Sequence, residues 1–205
     1  AAAINLLHQT VNAYVQDMGI TSDYYMQDLF HFNNGTFSTD NCPDPEVSGA
    51  AVNNVVFYLQ TLKAPIRRNI DDADVIAGEQ LFSQINCSGC HTPTMQTGYS
   101  PIAPLSFTTF HAYTDLLLHD MGTGLDDGYT EGTALTAEWR TPPLWGLGLS
   151  PNSQGQQYFL MHDGRAHSVE EAIMMHGGEA QNSRNAFTGL NATEKDQLIK
   201  FLESL

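Results

Sequence analysis

Apolar residues recur at helical spacing along most of this chain, and alternating strand patterns are scarce. Ile4, Leu7, Val11, Val15 and Met18 form one stripe, which Gly19 should end. Ser22 is placed to cap a short helix running to Phe32. Residues 33–45 are rich in Asn, Gly, Asp and Pro and read as a loop. Val47, Ala51, Val55, Tyr58 and Leu62 predict an amphipathic helix from Pro45 to Leu62, stopped by Pro65. Val75, Gly78, Leu81, Phe82 and Ile85 predict another, starting near Asp74 and leading into Cys87. Residues 111–119 read as helical, 121–132 as a Gly/Asp-rich loop and 141–146 as an extended or turn segment. Ser168-x-x-Glu171 and Thr193-x-x-Asp196 resemble capping boxes for helices at about 169–176 and 193–204. The expected fold is mainly α. Residues 1–70 read as a helical connector or the remainder of an N-terminal domain, and 71–205 as the principal domain.

One pentapeptide does more than pack. Residues 87–91 read Cys-Ser-Gly-Cys-His, the C-x-x-C-H spacing of covalent c-type haem attachment. Two residues between the thiols let both reach one porphyrin edge, so Cys87 and Cys90 are the expected thioether positions. The adjacent His91 then lies under the metal and offers an imidazole nitrogen to the iron. A zinc site is the first alternative, but it normally needs a second pair of thiolates or imidazoles. The other thiol is Cys42, and no second C-x-x-C exists in the sequence. A redox dithiol is the second alternative, but such pairs sit by a strand–helix unit, and the flanks here read as helical. One covalently bound haem c is the expected cofactor.

Charge narrows the partners. The chain carries 8 basic and 23 acidic residues, a formal net charge of −15. Such acidity argues against nucleic acid and anionic membrane surfaces. It suits a basic redox partner, or simply a solvated surface. No run of 18 apolar residues appears, so no membrane span is expected. No signal peptide is visible, and the start at Ala1-Ala2-Ala3 reads as a processed product or a fragment. Haem c is attached outside the cytoplasm, which points to a periplasmic, exported protein. Cys42 is the odd cysteine. A buried thiol is expected there, with pairing to a cysteine elsewhere as the alternative.

The sixth position of the iron separates electron transfer from substrate chemistry, and Met and His are its usual occupants. On the helix begun by Ser168, the residues Val169, Ala172, Ile173 and His176 share one face. His176 should therefore look inward, before Gly177-Gly178 stop the helix. A His at a helix end is also favoured by the dipole alone. Met121, in the turn-like His119-Asp120-Met121-Gly122, is the rival ligand or else a core filler. The residues alone leave both open. Arg140 and Arg165 are candidates to neutralise haem propionates, because Arg pairs bidentately with carboxylates. An ordinary ion pair explains either equally well. Trp139 and Trp145 are candidate haem-pocket walls or plain core, and His162 is a turn residue suited to a propionate or a second cofactor.

Several motifs point to one family. Gly78-x-x-Leu81-Phe82, the Cys87–His91 motif and the closing Glu194-x-x-x-Leu198-x-x-Phe201-Leu202 helix resemble a cytochrome c domain. Arg140-Thr-Pro-Pro-Leu-Trp145, Phe159-Leu-Met-His162-Asp-Gly-Arg165 and Glu170-Glu171-Ala172-Ile173 resemble the C-terminal half of bacterial dihaem cytochrome c peroxidases. In detail the chain is more similar to their relatives, the dihaem oxidoreductase-like proteins sometimes labelled thiol oxidoreductases. The resemblance covers nearly the whole chain and is strongest over 74–205. It implies a cytochrome c-like haem domain over 71–205. Such proteins carry two C-x-x-C-H motifs, so the single one here implies a second haem domain as partner, outside this sequence. In the peroxidases the N-terminal haem reacts with peroxide, and the six-coordinate C-terminal haem handles electrons. There the C-terminal haem takes a Met a short helix beyond the His-Asp-Gly turn. Carried without a gap from His162-Asp163-Gly164, that position falls on His176. The resemblance thus favours a His91/His176 pair over His91/Met121, with a lower potential than a Met ligand would give. The thiol label does not transfer, since thioether-bonded cysteines cannot cycle as a dithiol.

The expected function is an electron-transfer haem domain of a dihaem oxidoreductase, passing electrons to or from a second haem in a missing N-terminal half. One alternative is peroxidase-like catalysis at this haem, with His162 or Glu171 assisting proton transfer. The other is a zinc-bound structural module.

Overall fold

In the computed structural model, which describes residues 3–30, 32–33, 35 and 42–205, the chain forms two units, Ala1–Lys63 and Ala64–Leu205. Residues 1–2, and residues 34 and 36–41 of the expected 33–45 loop, lie outside the described residues. The fold is mainly α, with seven α-helices against four short strands among the described residues.

In the first unit, α1 (Leu6–Asn12) is capped by Asn5, whose side chain accepts from the His8 amide. It continues as a π-helical turn, Ala13–Asp17. Ser48 caps α2 (Gly49–Gln60). Val11, Val52 and Val56 form the core, with Leu6, Leu7, Tyr14 and Val47 packed around them. The buried face of α2 is therefore one position away from the expected stripe. Val52 is fully buried, whereas Tyr58 and Leu62 are exposed, because α1 takes the paired valines one turn apart. The helix expected from Ser22 to Phe32 is not formed over residues 22–30, and His31 lies outside the described residues. Ser22 instead bridges Tyr25 and Val47, and the preceding Thr21 hydroxyl donates to Asp44. Those polar groups are used in holding loops, not in capping a helix. Cys42, expected to be buried, is exposed, since it lies beside exposed Pro43 and Asp44.

The second unit is built on two helices. Asp72 caps α3 (Ala73–Gln84), and α4 (Ser150–Ser153), α5 (Val169–Met175), α6 (Gln181–Gly189) and α7 (Ala192–Ser204) follow. α3 and α7 approach so closely that a Cβ on Gly78 would lie 2.0 Å from the Gln197 carbonyl oxygen. Val75, Phe82, Phe187, Leu198, Phe201 and Leu202 fill the core around this crossing. The capping box of α7 is Asn191 with Glu194, not Thr193 with Asp196. Asp196 pairs with Lys200 one turn on, at 2.9 Å. The helix expected over residues 111–119 is not formed: 111–117 are irregular, with Tyr113 and Leu116 at φ of +54° and +60°, and a strand begins at Leu118. β1 (Met95–Gln96) pairs antiparallel with β2 (Thr109–Phe110). β3 (Leu118–Asp120) pairs antiparallel with β4 (Glu138–Arg140), with His119 opposite Trp139. No helix among the described residues is long and apolar enough to cross a membrane.

Candidate haem centre

The Cys-Ser-Gly-Cys-His segment begins where α3 ends. Asn86 turns the chain through a left-handed φ of +63°, and Cys87–Gly89 form one 3-10 turn. The amides of Cys90 and His91 both close on the Cys87 carbonyl, His91 at 3.0 Å. One tight turn thus gathers both thiols and the imidazole at the end of a helix fixed against α7.

His91 packs near Phe82, and its Nδ1 lies 3.1 Å from the Tyr113 carbonyl oxygen. A carbonyl only accepts, so Nδ1 carries the hydrogen and Nε2 keeps its lone pair. His176 repeats the arrangement. It sits where α5 ends, with φ −60° and ψ 127°, and its Nδ1 lies 2.7 Å from the Ala172 carbonyl. Burial pushes the His91 imidazole down to about 4 and lowers that of His176 as well, so both rings are neutral at pH 7. The two rings stand with centroids 6.4 Å apart. An iron held between two imidazoles by bonds of about 2 Å would set the centroids about 6 Å apart. These residues fit a six-coordinate haem iron.

The two thiols are poorly suited to redox cycling. Burial pushes the Cys87 thiol up to about 11, and burial with Asp115 and Glu179 raises Cys90. Neither is a ready thiolate at neutral pH. Cys90, Asp115 and His119 do offer ligand atoms within 4.8 Å of one another. However, His119 holds Glu179 through Nδ1 at 2.9 Å and Asp115 through Nε2 at 2.8 Å. Glu179 first, and then Asp115, raise its pKa, and with both ring nitrogens aimed at carboxylates the doubly protonated form, which has no lone pair, is favoured.

The other candidates are placed as follows. Met121 is buried, and a Cβ on Gly177 would lie 2.7 Å from its carbonyl oxygen. The two candidate sixth ligands therefore come from adjoining segments. Arg165 is tied to Asp163, Nε to Oδ2 at 2.6 Å, while Arg140 is exposed on β4. The Trp139 indole Nε1 is buried without a hydrogen-bond partner among the described residues, a donor suited to a propionate. Trp145 is exposed against Phe110. His162 is exposed and bonded to Asp127 at 2.7 Å. Glu171 accepts from the His167 amide at 2.6 Å at the start of α5, a capping role. Sequence reasoning missed Tyr113 and the His119 clamp. The i, i+4 spacing of Asp115 and His119 was a usable hint, whereas nothing in the sequence marks a residue that acts through its carbonyl.

The buried imidazoles predict how the haem-free protein responds to acid. The ordinary pKa of His91 is 6.5, and its folded value is about 4. Between those values the unfolded chain binds more protons, so stability is fully present above pH 6.5 and falls as the pH drops towards 4. Urea midpoints at pH 7 and pH 4.5 should show this fall, and His91→Leu should flatten it. Equal slopes in the two proteins would contradict it.

A family model described as "Di-haem oxidoreductase, putative peroxidase" matches residues 3–205. The chain belongs to this di-haem oxidoreductase family. Haem-based redox function comes with that membership. Among solved structures, hydrazine synthase from Kuenenia stuttgartiensis is similar at 18% identity, covering 84% of this chain with a TM-score of 0.46. This di-haem oxidoreductase family member spans 59% of that structure's chain. No curated protein matches.

Proposed function

We propose that this chain is an electron-transfer haem domain, the C-terminal half of a dihaem oxidoreductase exported to the periplasm. The observation that carries the reading is the close pair His91 and His176, with ring centroids 6.4 Å apart. In this reading Cys87 and Cys90 would hold one haem c through thioethers, and His91 and His176 would ligate its iron. A bound haem supplies one-electron chemistry at its iron. The chain's own residues decide what that chemistry is used for. Two neutral imidazoles, each with a free Nε2 lone pair, would leave no ligand position for substrate. Their Nδ1–H groups are fixed on backbone carbonyls, so both rings stay in place in either oxidation state. The second haem, and any peroxide chemistry, then belong to a domain outside this sequence.

Covalent attachment is tested by an alkaline pyridine haemochrome spectrum with an intact mass. The expected result is a c-type spectrum and a mass raised by one haem that survives denaturation. Cys87→Ser should move the spectrum to that of a single thioether. A haem removed by acid acetone, or a mass without haem, would overturn the reading.

A further inference from the structure

We propose that Tyr113 is the positioning residue for His91, and that it acts through its backbone carbonyl with its phenol as the anchor. The inference rests on the haem reading above. Tyr113 has a φ of +54°, in the left-handed region that a bulky aromatic seldom adopts. Such a conformation persists only where the surroundings over-determine it, and it clusters at functional sites.

Here the surroundings do so from three sides. The buried ring packs edge-on against Phe82 at 5.9 Å and Phe201 at 5.7 Å. The phenol donates to Glu79 Oε1 at 3.2 Å. Glu79 is held by both terminal nitrogens of Arg67, at 3.0 and 2.8 Å, and the Arg67 guanidinium lies over the Phe201 ring. The next amide, Thr114, donates to the Thr92 carbonyl at 3.1 Å, just past His91. Glu79 belongs to α3, the helix that ends in the Cys87–His91 turn. The phenol is therefore tied to the same helix whose terminal imidazole the carbonyl meets at 3.1 Å. A relaxed Tyr113 backbone would turn that carbonyl away. A carbonyl on Nδ1–H fixes the ring's rotation and makes Nε2 a stronger donor, which favours oxidised iron and lowers the potential.

The haem-loaded protein is compared with Tyr113→Phe, which deletes one oxygen, and Glu79→Ala, which deletes its acceptor. Both should raise the midpoint potential and alter the ferric EPR anisotropy, with covalent haem content unchanged. At a fixed electrode potential the ferric-to-ferrous ratio should fall about threefold or more, a shift of about 30 mV for a one-electron couple. The phenol also accepts from Arg67 Nη1 at 3.5 Å, so in the Glu79→Ala background Tyr113→Phe should add only part of its wild-type shift. A lowered Tm at wild-type potential in Tyr113→Phe would make Tyr113 a packing residue and overturn the proposal. So would a full additional shift in the Glu79→Ala background. Absence of covalent haem from the wild type would instead sink the haem reading, and the haemochrome spectrum registers that first.

Discussion

His176→Gly opens the iron to outside ligands. If His91 and His176 both ligate the wild-type iron, as proposed, a small anion binds only to the fraction of molecules whose distal ligand has let go. If that fraction is about 1% or less, apparent affinity is reduced about a hundredfold or more. Removing the imidazole removes this handicap. Ferric His176→Gly should therefore bind cyanide about a hundredfold more tightly than the wild type and show a mixed or high-spin spectrum. Imidazole added to the solution should restore the low-spin form. The substitution also replaces a residue in the extended conformation that follows α5, so the helix itself keeps its Ser168 cap. A spectrum unchanged by His176→Gly would show that His176 is no ligand. Rapid cyanide binding by the wild type would show that the iron was never saturated.

Gly78→Ala should damage the fold severely. The added methyl group would meet the Gln197 carbonyl oxygen at 2.0 Å and the Phe201 Cβ at 2.7 Å. The first of these is backbone in the middle of α7 and cannot swing aside. Overpacking of a core typically costs about 1–3 kcal/mol, and a clash with backbone belongs at or beyond the upper end. Against a net stability of about 5–15 kcal/mol, that is a large fraction. Because α3 carries the attachment turn at its end, covalent haem yield should fall together with the Tm. Gly98→Ala is the control, since a Cβ there meets nothing within 4 Å. Equal melting temperatures for the two variants would contradict the close crossing.

The parts that were legible in the sequence are those where one physical rule acts alone. Val75, Gly78 and Phe82 sit on one helical face because their spacing allows nothing else, and all three are buried in α3. The inward placement of His176 was legible for the same reason, at the end of an apolar stripe. β3 was not, because Leu116-Leu117-Leu118 lacks alternation and its conformation is set by the left-handed Tyr113 and Leu116 before it. α6 was missed because Gln181–Gly189 is polar apart from Ala186 and Phe187, and only Phe187 is buried. α2 was found but its face was misjudged, since Val52 and Val56 were competing with Val55 and Tyr58 on neighbouring stripes. Arg140 and Arg165 show a different limit. The sequence supplies a scarce charge, but a nearby acid such as Asp163 can claim it first. Tyr113 shows the deepest one, because a side chain gives no sign that its own carbonyl is the working group.

A covalently held haem between His91 and His176 would carry two imidazole ligands. Near-infrared magnetic circular dichroism of the ferric protein tests this most directly, since its charge-transfer band reports the pair of axial ligands. A low-spin band of the bis-imidazole type is expected in the wild type. A band of the His/Met type would move the sixth ligand to Met121, and a high-spin band would leave the position open. Either result would rule out a haem held by both imidazoles.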